Sequence, residues 1–189
     1  MCKKTLIKFS APTLAGIKTA SMYSAKCHKE NIEKEVLMLN RRLNPKGVFI
    51  HLMKVQNGRA LIYIYRPESL LKDLTKPEAG KILKLLGYKF DTVEEAINIL
   101  KKRIIANNEF PHEIGLFLGY PIEDVIGFMS DDARKCKLAG CWKVYGDEKK
   151  AEKLFEKYRK CTCIYTECLM NGASIEKLAV KRRENYAYI

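Results

Sequence analysis

Between Phe110 and Gly146 the chain gathers its densest set of side chains capable of chemistry. His112 and Glu113 follow Pro111, Tyr120 follows Gly119, Glu123 and Asp124 follow Pro121, and Trp142, Lys143 and Tyr145 come after a short charged break. An imidazole beside a carboxylate can be tuned toward neutral pH for proton transfer, and imidazole with carboxylates suits hard or borderline metal ions. His112, Glu113 and Asp124 are therefore the candidate catalytic groups. Tyr120, Glu123, Lys143 and Tyr145 are the candidate ligand-binding groups around them. Two features weigh against a regular site. No second His stands four residues after His112, and neighbours such as His112 and Glu113 cannot both face one centre on an undistorted helix. A Glu just after Pro111 also serves the first turn of a helix, where a negative charge meets the positive end of the backbone dipole.

Other constellations are thinner. Cys136 and Cys141 are separated by four residues, and Cys161 and Cys163 by one. Neither pair has the spacing of a zinc knuckle, and Cys161 and Cys168 fall on the apolar stripe of a long helix, where a free thiol acts as a small hydrophobe. Residues 113–129 have the outline of a helix-turn-helix. The second helix, however, would open on Glu123 and Asp124, which repel a phosphate backbone. The junction from Leu138 to Asp147 reads as strand, glycine turn and helix start, a place where free backbone N–H groups favour an anion, with Lys143 and Lys149 nearby. No Ser-His-Asp order, HExxH, GxxxxGK or GxGxxG occurs. The sequence names no metal and no cofactor.

The elements that must position these groups follow from hydrophobic period and punctuation. Ser10 caps a first helix with Pro12 in its opening turn and Leu14, Ile17, Ser21 and Met22 on one face. A second helix spans about Lys29 to Leu43 and stops at Asn44-Pro45-Lys46-Gly47. The period then changes: Val48–Val55 and Arg59–Arg66 are β-branched and aromatic runs joined through Asn57-Gly58, the pairing that suits a two-residue hairpin turn. Helices are predicted near Pro77–Leu86, Val93–Ala106 with a Thr92/Glu95 capping box, Pro111–Leu118 and Pro121–Met129. Leu138–Tyr145 reads as a strand added to the hairpin, Asp147 caps a long helix to Met170, and a short helix starts at Ser174. The expected fold class is α+β. A small antiparallel sheet, the 48–66 hairpin plus a strand at about 138–145, packs against several helices in one domain over residues 1–180, with a basic, disordered tail at 181–189.

The 189 residues carry a net charge of +13, unevenly spread: +9 over residues 1–60, −1 over 61–135 and +5 over 136–189. Basic ends suggest an anionic partner, either a small molecule or nucleic acid. On the hairpin, Lys54, Arg59, Tyr63, Tyr65 and Arg66 would form a basic and aromatic face for a single strand, provided that the sheet face is open. Seven cysteines without an export signal suggest reduced thiols and a cytoplasmic protein, and no apolar stretch is long enough to span a bilayer.

At Phe110-Pro111-His112-Glu113-Ile114-Gly115, Leu118-Gly119-Tyr120-Pro121, Glu123-Asp124-Val125, Gly127-Phe128 and Trp142-Lys143-Val144-Tyr145-Gly146, the chain resembles a family of similarly sized proteins from clostridia and related anaerobes, catalogued as a domain of unknown function. The likeness runs from the Ala11–Gly16 stretch through the helix capped by Asp147. It implies a stand-alone cytosolic bacterial protein and adds weight to His112, Glu113, Tyr120 and Asp124, while lowering that of the cysteines. Taken together, these residues point to a small-ligand or metal-binding domain, enzymatic or not, with a polar pocket near His112. The alternatives are a nucleic-acid module using the basic N-terminal third and a protein-interaction domain without chemistry.

Overall fold

The structure is a computed structural model, and it describes residues 2–27, 29–106, 110–130 and 136–181. Helix α1 (Lys3–Leu14) ends at Ala15-Gly16, with Pro12 in its last turn rather than its first. Residues 20–26 then form strand β1 (Ala20–Lys26). Helical spacing predicts Ser21 and Met22 on the α1 face, and this expectation is corrected. The segment lacks β-branched residues, so it is extended because a neighbouring strand offers it a ladder, not because of its own propensity.

Helix α2 (Lys29–Leu43) is closed by a 3-10 turn at Asn44–Lys46, and the chain enters strand β2 (Phe49–Gln56). Asn57 and Gly58 take φ of 50° and 68°, as a primed hairpin turn requires. They return the chain as strand β3 (Arg59–Tyr65). The sheet order is β1-β3-β2, antiparallel throughout, with Ala20 opposite Tyr65 and Phe49 opposite the same Tyr65. The central strand is buried on both faces, which explains its near-continuous apolar run. Ile62 and Ile64 join a core with Leu6, Leu14, Ile32, Leu43 and Leu178, while Tyr63 and Tyr65 join a second core with Leu70, Leu74, Ile97, Leu100 and Phe117. The result is a sheet between two helical layers.

Pro67 starts helix α3 (Pro67–Leu74), an element the sequence reading leaves out. Helices α4 (Pro77–Leu85) and α5 (Val93–Ala106) follow as predicted. The capping box is present: Glu95 N–H donates to Thr92 Oγ1 at 3.2 Å, and Thr92 N–H to Glu95 Oε2 at 3.0 Å. The FPHEIG helix is shorter than expected, a single turn α6 (Ile114–Phe117), succeeded by α7 (Ile122–Met129). Residues 138–145 do not add to the hairpin. They fold on themselves as a two-stranded ribbon, β4 (Leu138–Ala139) and β5 (Lys143–Val144), so the third strand of the sheet is β1. Helix α8 (Glu148–Met170), capped by Asp147, packs along α1, and α9 (Ile175–Leu178), capped by Ser174, ends the described fold. The α+β class stands. The basic tail expected at 181–189 lies, from residue 182 on, outside the described residues. Among the described residues no helix is long and apolar enough to cross a membrane.

Candidate functional site

A cavity of about 510 Å³ opens between edge strand β1, the α6–α7 pair and the β4–β5 ribbon. Met22, Tyr23 and Ser24 of β1 form one wall, Ile114, Gly115, Leu118, Val125 and Phe128 of the helix pair another, and Trp142 and Lys143 of the ribbon a third. Gly115 explains how the two helical turns come so close, since a Cβ there would stand 2.8 Å from Val125 Cγ2. Tyr120 stacks on Trp142 with ring centroids 4.9 Å apart, and Phe155 meets the indole edge-on at 4.5 Å, so the ribbon is locked between the α6–α7 turn and α8 by aromatic packing.

Asp124, in the first turn of α7, holds this wall in place. Its carboxylate is 3% exposed. Oδ2 accepts from Trp142 Nε1–H at 2.7 Å, and Oδ1 accepts from the backbone N–H groups of Tyr145 and Gly146, each at 2.8 Å. Charge-assisted bonds of this kind are the strong ones. Glu113 is turned elsewhere and does not line the cavity. It accepts from Tyr88 Oη at 2.9 Å and from Arg103 Nε at 2.6 Å, tying α6 to α5. Burial first, and then the Glu113 charge, pushes the Tyr88 phenol well above its ordinary range.

The sequence-predicted site residues are thus divided. His112, Tyr120, Asp124 and Lys143 share one cavity. Glu113, Glu123 and Tyr145 stand outside its lining; Glu123 is exposed, and Tyr145 packs its ring over Gly127. The sequence reading missed the β1 wall and Leu61, since a segment read as helix could not present Met22 and Ser24 beside Leu61 of β3. The alternation of buried Ser21 and Tyr23 with less buried Met22 and Ser24 is the signal that fits a strand.

The nucleic-acid face requires correction. Tyr63 and Tyr65 are 0% and 3% exposed and Arg66 is 3% exposed, so none can meet a strand of bases. Lys54 and Arg59 remain at the surface, with Arg59 donating to Ser24 Oγ and to the Ser24 carbonyl at 2.9 and 3.2 Å. Among the described residues, no three His, Cys, Asp or Glu side chains gather as metal ligands.

Lys18 lies behind the Tyr120 wall. Its Nζ sits 5.3 Å from the Tyr120 ring centre and 5.8 Å from that of Tyr158. Burial lowers its pKa to about 8, with the nearby Cys141 sulfur acting in the opposite sense. The unfolded lysine keeps its proton to about 10.5. Between these values the unfolded chain binds more protons, so stability is withheld at neutral pH and recovered as pH rises. Lys18→Met should therefore be more stable than the parent by about 2–3 kcal/mol near neutrality, the gap closing toward about pH 10. Tyr120 and Tyr158, pushed up to about 12 by burial, and Cys141, raised by burial, carry the opposite sign, costing stability at alkaline pH. The two tyrosines are common to both proteins and cancel in the difference, whereas Cys141 loses the lowering charge of Lys18 in the variant, a smaller change of the same pair. Urea unfolding of both at several pH values checks this; a constant gap would refute it.

No curated protein and no solved structure matches the chain. The cavity, its three walls and the Asp124 clamp all fall within residues 6–179, the stretch matched by the model of a family described as Protein of unknown function (DUF3793), and the chain belongs to that family.

Proposed function

We propose that this chain is a small-molecule-binding domain whose ligand occupies the cavity beside β1. The observation that carries the reading is the cavity itself: about 510 Å³ walled by aromatic and aliphatic side chains, with a few polar groups at fixed positions. Clefts of roughly 300–1,000 Å³ with this balance are where proteins hold small organic ligands. Binding is favoured over acid–base chemistry because the lining carboxylate, Asp124, already has both oxygens occupied by N–H donors. Among the described residues, His112 and Lys143 are lining groups with exposed ionisable side chains.

The chain's single Trp, Trp142, lines the cavity and makes a built-in reporter. Screening a library of small organic molecules by thermal shift should give compounds that raise the melting temperature and change the Trp142 emission together. Ile114→Phe, which adds a ring to the lining, should keep the unliganded melting temperature and lose both responses. A library-wide flat response in the parent protein would overturn the proposal.

A further inference from the structure

The cavity's floor and its mouth differ in chemistry. Gly115, Leu118, Val125 and Trp142 are buried and form an apolar floor. Phe110, Phe128, His112 and Lys143 are exposed and form the mouth. The two basic groups there meet the same ring. His112 stands edge-on to Phe128 with centroids 5.0 Å apart, and Lys143 Nζ lies 5.6 Å from the Phe128 centre. Arg59 adds a second permanent cation next to the rim, beside Lys143, held on Ser24 by its two hydrogen bonds. Among the described residues, the carboxylate in the lining is that of Asp124, which is buried with its oxygens turned to the Trp142 indole and the Tyr145 and Gly146 backbone, so its charge sits in the wall and not at the mouth.

We infer that the ligand is an amphiphilic organic anion, with an apolar body on the buried floor and one anionic head group at the mouth beside Lys143 and His112. This rests on the small-molecule reading above and names the chemical class. An aliphatic or aromatic body is favoured because it replaces water against hydrocarbon walls. The head group stays at the mouth, where it keeps part of its hydration and gains a cationic partner, thereby avoiding the cost of burying a charge. A cationic amphiphile would meet like charge at the same place.

Four probes with a ten-carbon tail separate the possibilities: decanoate, decyl phosphate, decanol and decyltrimethylammonium, each titrated below its micelle concentration against Trp142 emission of the full chain. Decanoate or decyl phosphate should bind at one site per chain about tenfold tighter than decanol, with the cation weaker still. The ratio of the two anions tells a carboxylate head from a phosphate head. Lys143→Met, at an exposed position that leaves the core intact, should lower the affinity of the preferred anion about tenfold and narrow its lead over decanol. Equal binding of all four, or preference for the cation, would overturn the anionic assignment while leaving the cavity's binding role standing. Silence from all four in both emission and melting temperature would overturn the assignment and count against that role as well.

Discussion

Asp124→Ala is expected to destabilise the protein by about 3–5 kcal/mol, because it strips the partner from three buried or half-buried donors at once. The indole Nε1–H of Trp142 and the backbone N–H groups of Tyr145 and Gly146 would each lose their acceptor. The ribbon they belong to has only two short strands, with Leu138 opposite Val144 and Ala139 opposite Lys143, and so cannot hold its shape alone. Asp124→Asn is the sharper test. An amide keeps one oxygen for the backbone donors but turns an N–H₂ toward the indole N–H, so a smaller loss of about 2–3 kcal/mol is expected. In both variants Trp142 loses its fixed position. Its emission should shift to longer wavelength before global unfolding, and cavity ligands should bind more weakly. Denaturation by urea measures the first effect and Trp142 fluorescence the second. A variant with parental stability would show that the carboxylate is not the clamp described here.

Arg66→Met should cost about 3–5 kcal/mol, despite removing a buried charge, because the guanidinium serves as a multi-way donor where three chain segments meet. Nε donates to the Thr13 carbonyl at 2.7 Å and Nη2 to those of Leu14 and Val180 at 2.6 and 2.8 Å. Nη1 reaches the Lys46 carbonyl at a longer 3.3 Å. The end of α1, the stretch after α9 and the turn before β2 are thereby fastened to the end of β3. Thr13 and Leu14 keep one backbone donor each, from Gly16 and Val180, which limits the loss. The stretch at Val180 should loosen first. Hydrogen exchange would show this as faster exchange at Ala179 and Val180 than in β3, and unchanged protection at these residues would contradict the stapling role. Lysine is a poor substitute, since its ammonium lacks the planar fork that meets several carbonyls at once.

Much of the architecture was legible along the chain. The Asn57-Gly58 turn, the Thr92/Glu95 capping box, the Asp147 and Ser174 caps and the glycine stop at Gly47 all fall where neighbouring residues alone set the backbone. The helices they delimit carry apolar stripes at helical spacing, so both type and extent could be read. The reading failed at α1, which starts at Lys3 with Ser10 inside it and not as its cap, at α3, at the length of α6, at β1 and at the β4–β5 ribbon. Ala20–Lys26 has weak strand chemistry of its own and is extended by its ladder to β3. Residues 138–145 have the composition of a strand, but a bend at Gly140–Trp142 turns them on themselves, with Gly140 N–H donating to the Trp142 carbonyl at 3.0 Å.

The candidate site divides along the same line. Residue types alone marked out His112, Tyr120, Asp124 and Lys143, and those four do border one cavity. What they could not convey is how each carboxylate is used, since Asp124 finds its donors 18 to 22 positions away and Glu113 finds Tyr88 and Arg103 25 and 10 positions away. Turn chemistry, capping and helical period are local, and the sequence determined them by itself. Which strand completes the sheet, which side chains are shut inside it and where an open volume remains depend on segments far apart in the chain meeting in space, and only the tertiary structure decided those.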